Sequence, residues 1–223
     1  MKINSKKILF NILLILIPII VSIISLSIGR MMINFDEIYK SIFSYESADK
    51  TARLIIMNYR LPRIILAILC GMGLSVAGLS FQALFSNPLA TPDTIGVASG
   101  ASFGAVVAIL LSANNIVVQI LSVAMGLIAV SLTWFNAKSK NLNLSYLVLS
   151  GIMVGSVFNA LVSLVKFVAD PDSKLPAITY WLMGGLGNSG FKSLMIGAPI
   201  IIISIVITYL LRWRLNLLSL SEG

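Results

Sequence analysis

The chain has no histidine, a single cysteine, Cys70, and only 8 acidic residues in 223. Without histidine, triads in which an imidazole activates a nucleophile are excluded. With one cysteine an intrachain disulfide is impossible, and a metal centre of Cys and His ligands lacks its ligands. No stretch fits GxxxxGK[ST], so no Walker-type phosphate loop is present to bind and hydrolyse ATP. These absences leave no catalytic residue, no cofactor-binding residue and no metal ligand to name. They argue against an enzyme in its own right.

Apolar sequence is plentiful. Hydrophobic residues make up 58% of the chain and charged residues 11%, against about a quarter charged in soluble domains. The formal net charge is +8, but Lys and Arg sit at the edges of apolar runs, as membrane flanks do. Nucleic-acid binding would need them clustered on one solvated face, so no nucleic-acid partner is expected. Six runs approach the length of a membrane span, about 20 residues: 8–28, 64–85, 94–111, 116–135, 145–169 and 193–211. The expected fold is all-α, a polytopic bundle of about six transmembrane helices in a lipid bilayer.

The most informative stretch runs from Arg60 to Gly104. Arg60-Leu61-Pro62-Arg63 leads into an uncharged run, a turn at Asn87-Pro88-Leu89-Ala90-Thr91-Pro92-Asp93 follows, and the chain re-enters an apolar segment. Gly71, Ser75, Gly78 and Gln82 share one helical stripe; Gly96, Gly100 and Gly104 form a second; Gly151, Gly155 and Asn159 form a third. Small residues at this spacing let another helix approach closely. Gln82 and Asn159 are amides within apolar runs, where a polar group needs a partner or a wet path. A hydrogen bond to a neighbouring helix accounts for both; a pathway lining is compatible.

The first run follows Lys2, Lys6 and Lys7 and contains Pro18. It is longer than the ~7–15-residue core of a signal peptide, so it reads as a retained helix with a cytoplasmic N-terminus. Residues 34–45 read as an amphipathic segment, with Asn34 as cap and Phe35, Ile38, Ile42 and Phe43 on one face. It either rests on lipid headgroups or docks a partner. Six spans put Lys138, Lys140, Arg212 and Arg214 inside and the segments 30–59 and 170–192 outside. These two outer segments hold six of the eight acidic residues, but the outer side would also hold Arg30, Lys40, Lys50, Arg53, Arg60 and Arg63, so only the shorter loops follow the positive-inside rule.

Arg60-Leu61-Pro62-Arg63, Gln82, Asn87-Pro88-Leu89-Ala90, Pro92 and Gly96-Val97-Ala98-Ser99-Gly100-Ala101 together resemble the FecCD family. Leu149-Ser150-Gly151, Tyr180-Trp181-Leu182-Met183-Gly184-Gly185 and Leu215-Asn216-Leu217-Leu218-Ser219-Leu220 follow in the family's order. The family supplies permease subunits of binding-protein-dependent ABC importers for ferric siderophores, haem and vitamin B12. The resemblance implies a cell-membrane protein that pairs as a homodimer or with a related permease subunit. ABC ATPase subunits would sit on its cytoplasmic side and an extracytoplasmic substrate-binding protein would dock opposite. It implies that Arg60 and Arg63 meet carboxylates of the binding protein. It also implies that Asn87 and Leu89, with Ser145 nearby, form the cytoplasmic gate.

Family members have about ten membrane helices. Residues 1–223 are therefore expected to be a single transmembrane permease domain that is C-terminally incomplete. Two other functions are carried alongside: a truncated or non-transporting membrane scaffold, and an ion-coupled secondary transporter. The second usually places ionisable residues within its helices, and the six runs are read as containing none.

Overall fold

The structure is a computed structural model that describes residues 5–44, 49–88, 90–138, 144–187 and 189–220. The described secondary structure is helical throughout: α1 Ser5–Ser27, α2 Phe35–Phe43, α3 Lys50–Ile55, α4 Leu61–Leu84, α5 Val97–Leu110, α6 Asn115–Lys138, α7 Leu144–Val168, α8 Lys174–Leu182, α9 Phe191–Leu210 and α10 Arg212–Leu220. Among the described residues, five helical segments are long and apolar enough to cross a membrane: Lys7–Ser27, Lys50–Leu84, Asn115–Lys138, Ser145–Val168 and Phe191–Leu210. Val97–Leu110 is apolar but shorter. Its start is set by Gly96, whose left-handed backbone (φ 75°) ends a 3-10 turn at Pro92–Ile95. Glycine adopts that conformation without a Cβ clash.

One of the six apolar runs, 145–169, does contain a charge. Lys166 occupies the last turn of α7, so the reading of the runs as free of ionisable residues is corrected. Near a helix end the lysine stem can carry its ammonium to the interface.

The packing divides into two compact units, residues 1–73 with 186–203, and residues 74–185 with 204–223. In the first, Ile33, Ile38, Ala52 and Ile56 form the buried cluster. Helix α3 continues through a π-helical segment, Ile56–Arg60, into α4. Pro62 explains that segment. It has no N–H to give and its ring crowds the carbonyl four residues back; widening the turn relieves both. The Leu61 amide accordingly reaches the Ile56 carbonyl. The helix thus begins at Lys50, well before the proline and before residue 64, where the apolar run starts. Asn34 is the N-cap of α2 but its side chain makes no capping bond. Of the apolar face assigned to that segment only Ile38 is buried, while Phe35 and Phe43 are exposed.

In the second unit α5, α6 and α7 pack on one another and α8 packs on α5. Val106, Val162, Val165, Ala169 and Ile178 form one buried cluster there, and Phe103 meets Phe158 with ring centroids 5.7 Å apart. The turn into α8 is organised by Asp170. Its carboxylate accepts from the Ser173 hydroxyl at 2.7 Å, the Ser173 amide at 2.8 Å and the Asp172 amide at 3.1 Å. These bonds, the hydroxyl's first, hold its pKa below the ordinary value.

Candidate functional site

Arg60 is the last residue of the π-helical segment. Its Nη1 donates to the carbonyls of Leu26 and of Ser27, the latter at 3.0 Å, and its Nη2 donates to the Met31 carbonyl. Leu26 and Ser27 end α1, where the last carbonyls have no partner in their own helix. A fixed positive charge is favourable at that pole. Gly29 makes the approach possible, since a Cβ there would lie 2.7 Å from Arg60 Nη2. Arg63, one turn on, donates to the Gly187 carbonyl. Its Nε is buried and has no acceptor among the described residues. Both arginines line a cleft of about 900 Å³ within the first unit, together with Arg30 and Tyr59. Arg60 and Arg63 are thus brought together, and Arg60 is largely engaged by its own chain.

The second set of residues surrounds the turn between α4 and α5. The Asn87 amide donates to the Gln82 carbonyl at 3.2 Å, and the Ala90 amide donates to Asn87 at 3.1 Å. Asn87 is exposed, as is Ser145 at the start of α7; Leu89 lies outside the described residues. The glycines of α5 and α7 meet neighbouring backbone. A Cβ on Gly100 would lie 2.7 Å from the Met125 carbonyl oxygen, and one on Gly104 2.9 Å from Met125 Cβ. Gly151 abuts the Thr94 and Ile95 backbone, and a Cβ on Gly96 would lie 3.2 Å from the Gly155 nitrogen. At Gly71 and Gly78 a Cβ would meet no described atom within 4 Å. The Gln82 side chain is half-buried and that of Asn159 exposed. The bonds at these residues run through their backbone carbonyls, from Asn87 and Ser163.

Three residues that matter here escaped the sequence reading. Thr133, 1% exposed, donates its hydroxyl to the Ile95 carbonyl at 3.0 Å. Gly126, Ala129, Thr133 and Ala137 are all buried on α6, and this small-residue stripe was a signal available in the sequence. Gly29 carried no such signal. Lys174 bonds the Ser112 hydroxyl and reaches the Ile109 carbonyl at 3.5 Å, closing the C-terminal end of α5. That bond also places the α5–α6 turn and the segment before α8 at one end of the unit.

Long apolar helices, glycine-mediated contacts and basic residues at helix ends define a multi-pass, all-helical membrane protein. The chain belongs to the FecCD transport family, whose pattern it matches over residues 15–223. It is 36% identical over 220 residues to the molybdate import system permease protein MolB of Haemophilus influenzae, covering 97% of this chain and 65% of that protein. It is 34% identical over 223 residues to the Fe(3+)-citrate import system permease protein YfmE of Bacillus subtilis, covering 98% of this chain and 65% of that one. A solved ABC transporter, described as of metal-chelate type and captured in an inward-facing conformation, superposes with a TM-score of 0.81. It shares 34% identity, over 97% of this chain and 66% of its own. The chain therefore spans slightly less than two thirds of these relatives' lengths.

Proposed function

We propose that the protein carrying this chain is the membrane permease subunit of a binding-protein-dependent ABC importer, and that it transports a metal chelate. The family match over residues 15–223 carries this reading. It is supported by the likeness to a metal-chelate type ABC transporter. Related permeases are described for molybdate, Fe(3+)-citrate and hemin, each of which contains a metal. An iron-siderophore or a related chelate is the substrate class we assign.

In this reading the chain hydrolyses nothing itself; a partner ATPase on the cytoplasmic side drives the cycle. The permease pairs with a second copy or a related subunit, and the path runs between them. Asn87, Leu89 and Ser145 belong to the cytoplasmic gate, and the N-terminus is cytoplasmic. A substrate-binding protein docks on the opposite face near Arg60 and Arg63. The bonds of Arg60 to α1 give it a mainly positioning part there, which leaves Arg63 as the better donor to a carboxylate.

The test is uptake of an isotope-labelled iron chelate into proteoliposomes holding the complete permease, its ATPase and its binding protein. Uptake should require ATP inside the compartment facing the ATPase and should persist when a protonophore collapses the ion gradient. Uptake driven by the gradient without ATP would establish the ion-coupled alternative.

A further inference from the structure

Helix α2 has three faces. At about 3.6 residues per turn, Ile38 and Ser41 share one sector, and both are buried. Asp36, Glu37 and Lys40 share a second, where the Lys40 ammonium donates to the Asp36 carboxylate. Phe35, Tyr39, Ile42 and Phe43 share the third, which carries no charge. Phe35, Tyr39 and Phe43 are 60%, 62% and 72% exposed. The Tyr39 and Phe43 rings lie 5.1 Å apart between centroids, so they form one surface. Ile38 thus turns inward and an aromatic ridge turns outward. A contiguous exposed apolar surface marks a contact with something other than water.

The start of α2 is tied to the end of a membrane span. The span Lys7–Ser27 is 21 residues, about 31 Å at 1.5 Å per residue, which matches the ~30 Å hydrocarbon core. The Ser27 hydroxyl donates to the Ile33 carbonyl at 2.8 Å, and the Ile33 amide donates to the Ser27 carbonyl at 3.2 Å. Ile33, two residues before α2, is thereby held where hydrocarbon gives way to headgroups. No residue of that span is buried, so lipid reaches the surface beside α2. Ile38 packs with Ala52 and Ile56, which puts protein on one side of α2. A helix at this depth meets protein, water and lipid at once, and its three faces match the three media. Turning the ridge up toward a docking protein would turn Asp36, Glu37 and Lys40 down toward hydrocarbon, where charges are costly.

We infer that the ridge of Phe35, Tyr39 and Phe43 is seated in the headgroup and upper acyl layer of the bilayer and anchors α2 flat beside the end of the first span. Helices divided in this way lie in the plane of the membrane interface. Tyrosine suits that layer because its ring is apolar and its hydroxyl reaches water. The ridge carries no charge, so the contact is with the phospholipid layer as such and not with one headgroup. The inference rests on membrane insertion alone and not on the transport reading.

Nitroxide labelling of the full protein tests it, in a Cys70→Ala background and in phosphatidylcholine vesicles. Phe35→Cys, Tyr39→Cys and Glu37→Cys are labelled one at a time. Collisions of the label with oxygen report hydrocarbon, and collisions with a water-soluble nickel chelate report solvent. The oxygen-to-nickel collision ratio should be severalfold higher at the two ridge positions than at the charged one. Phe35 and Tyr39 are both exposed, so either variant carries the test if the other does not fold. Ridge ratios as low as that of the charged position overturn the proposal. Nickel access on the ridge that is lost only when a cognate binding protein is added would make it a protein-docking face instead. Spin–spin broadening that disappears on dilution with unlabelled protein would make it a face between copies of the chain.

Discussion

The Thr133 hydroxyl donates to the Ile95 carbonyl across 3.0 Å. Ile95 ends the 3-10 turn and precedes Gly96, whose positive φ starts α5. A buried side chain of α6 thus holds the carbonyl at the one point where the α4–α5 connection turns into helix. Thr133→Val keeps the shape and removes the donor of this part-buried bond. Such a loss costs about 1 kcal/mol. Thermal unfolding in detergent should fall accordingly, whereas Thr133→Ser should restore most of it. Equal melting of wild type and the valine variant would show that the bond does not hold the turn.

Arg60 and Gly29 form a comparable pair in the first unit. Arg60→Lys keeps the charge but not the fork that reaches three carbonyls. With bonds that are partly exposed, a loss of about 1–2 kcal/mol is expected. Gly29→Ala should produce part of the same loss by pushing the guanidinium away. Combined, the two changes should cost less than the sum of their separate effects, because they break one contact. Strict additivity in a double-mutant cycle would contradict the geometry.

How far the sequence reveals this architecture depends on the kind of interaction. Apolar runs are legible because lipid demands them, and five return as span-length helices. The shape of the run around Arg60 was less legible. The apolar run starts at 64, after Pro62, yet a π-helical turn precedes the proline and the helix extends back to Lys50. The 3-10 turn before Gly96 shortens α5 for a reason that depends on backbone conformation. Arg60 was visible as a membrane-flanking charge, but its partners lie about thirty residues earlier and are backbone carbonyls. Carbonyls have no sequence signature. Asn87 and Ser145, proposed for the gate, are exposed, and that proposal rests on resemblance only.

Protonation offers a local check. Asp170 has its pKa lowered by the Ser173 hydroxyl and amide and by the Asp172 amide. A carboxyl depressed in the folded state adds stability above its unfolded pKa, near 3.9. That contribution disappears as pH falls through the lower folded value. Asp170→Asn should therefore melt below wild type at neutral pH, with the gap closing under strongly acidic conditions. A gap that persists there would assign the effect to shape rather than charge.

Topology is tested by labelling in a background where Cys70 is replaced by alanine. Six spans with a cytoplasmic N-terminus put Lys50 and Asp172 outside and Lys138 inside. Lys50→Cys and Asp172→Cys should react with an impermeant maleimide on intact cells, and Lys138→Cys only after permeabilisation. Equal reaction of all three on intact cells would contradict the arrangement.

The central claim is that the chain belongs to a permease whose energy comes from a partner ATPase. Affinity purification of the tagged protein from its native membrane tests this most directly. The account predicts an ABC ATPase co-purifying in stoichiometric amount, with ATP hydrolysis in the eluate stimulated by a cognate binding protein. Recovery of the intact, folded protein repeatedly without any ATPase would contradict it.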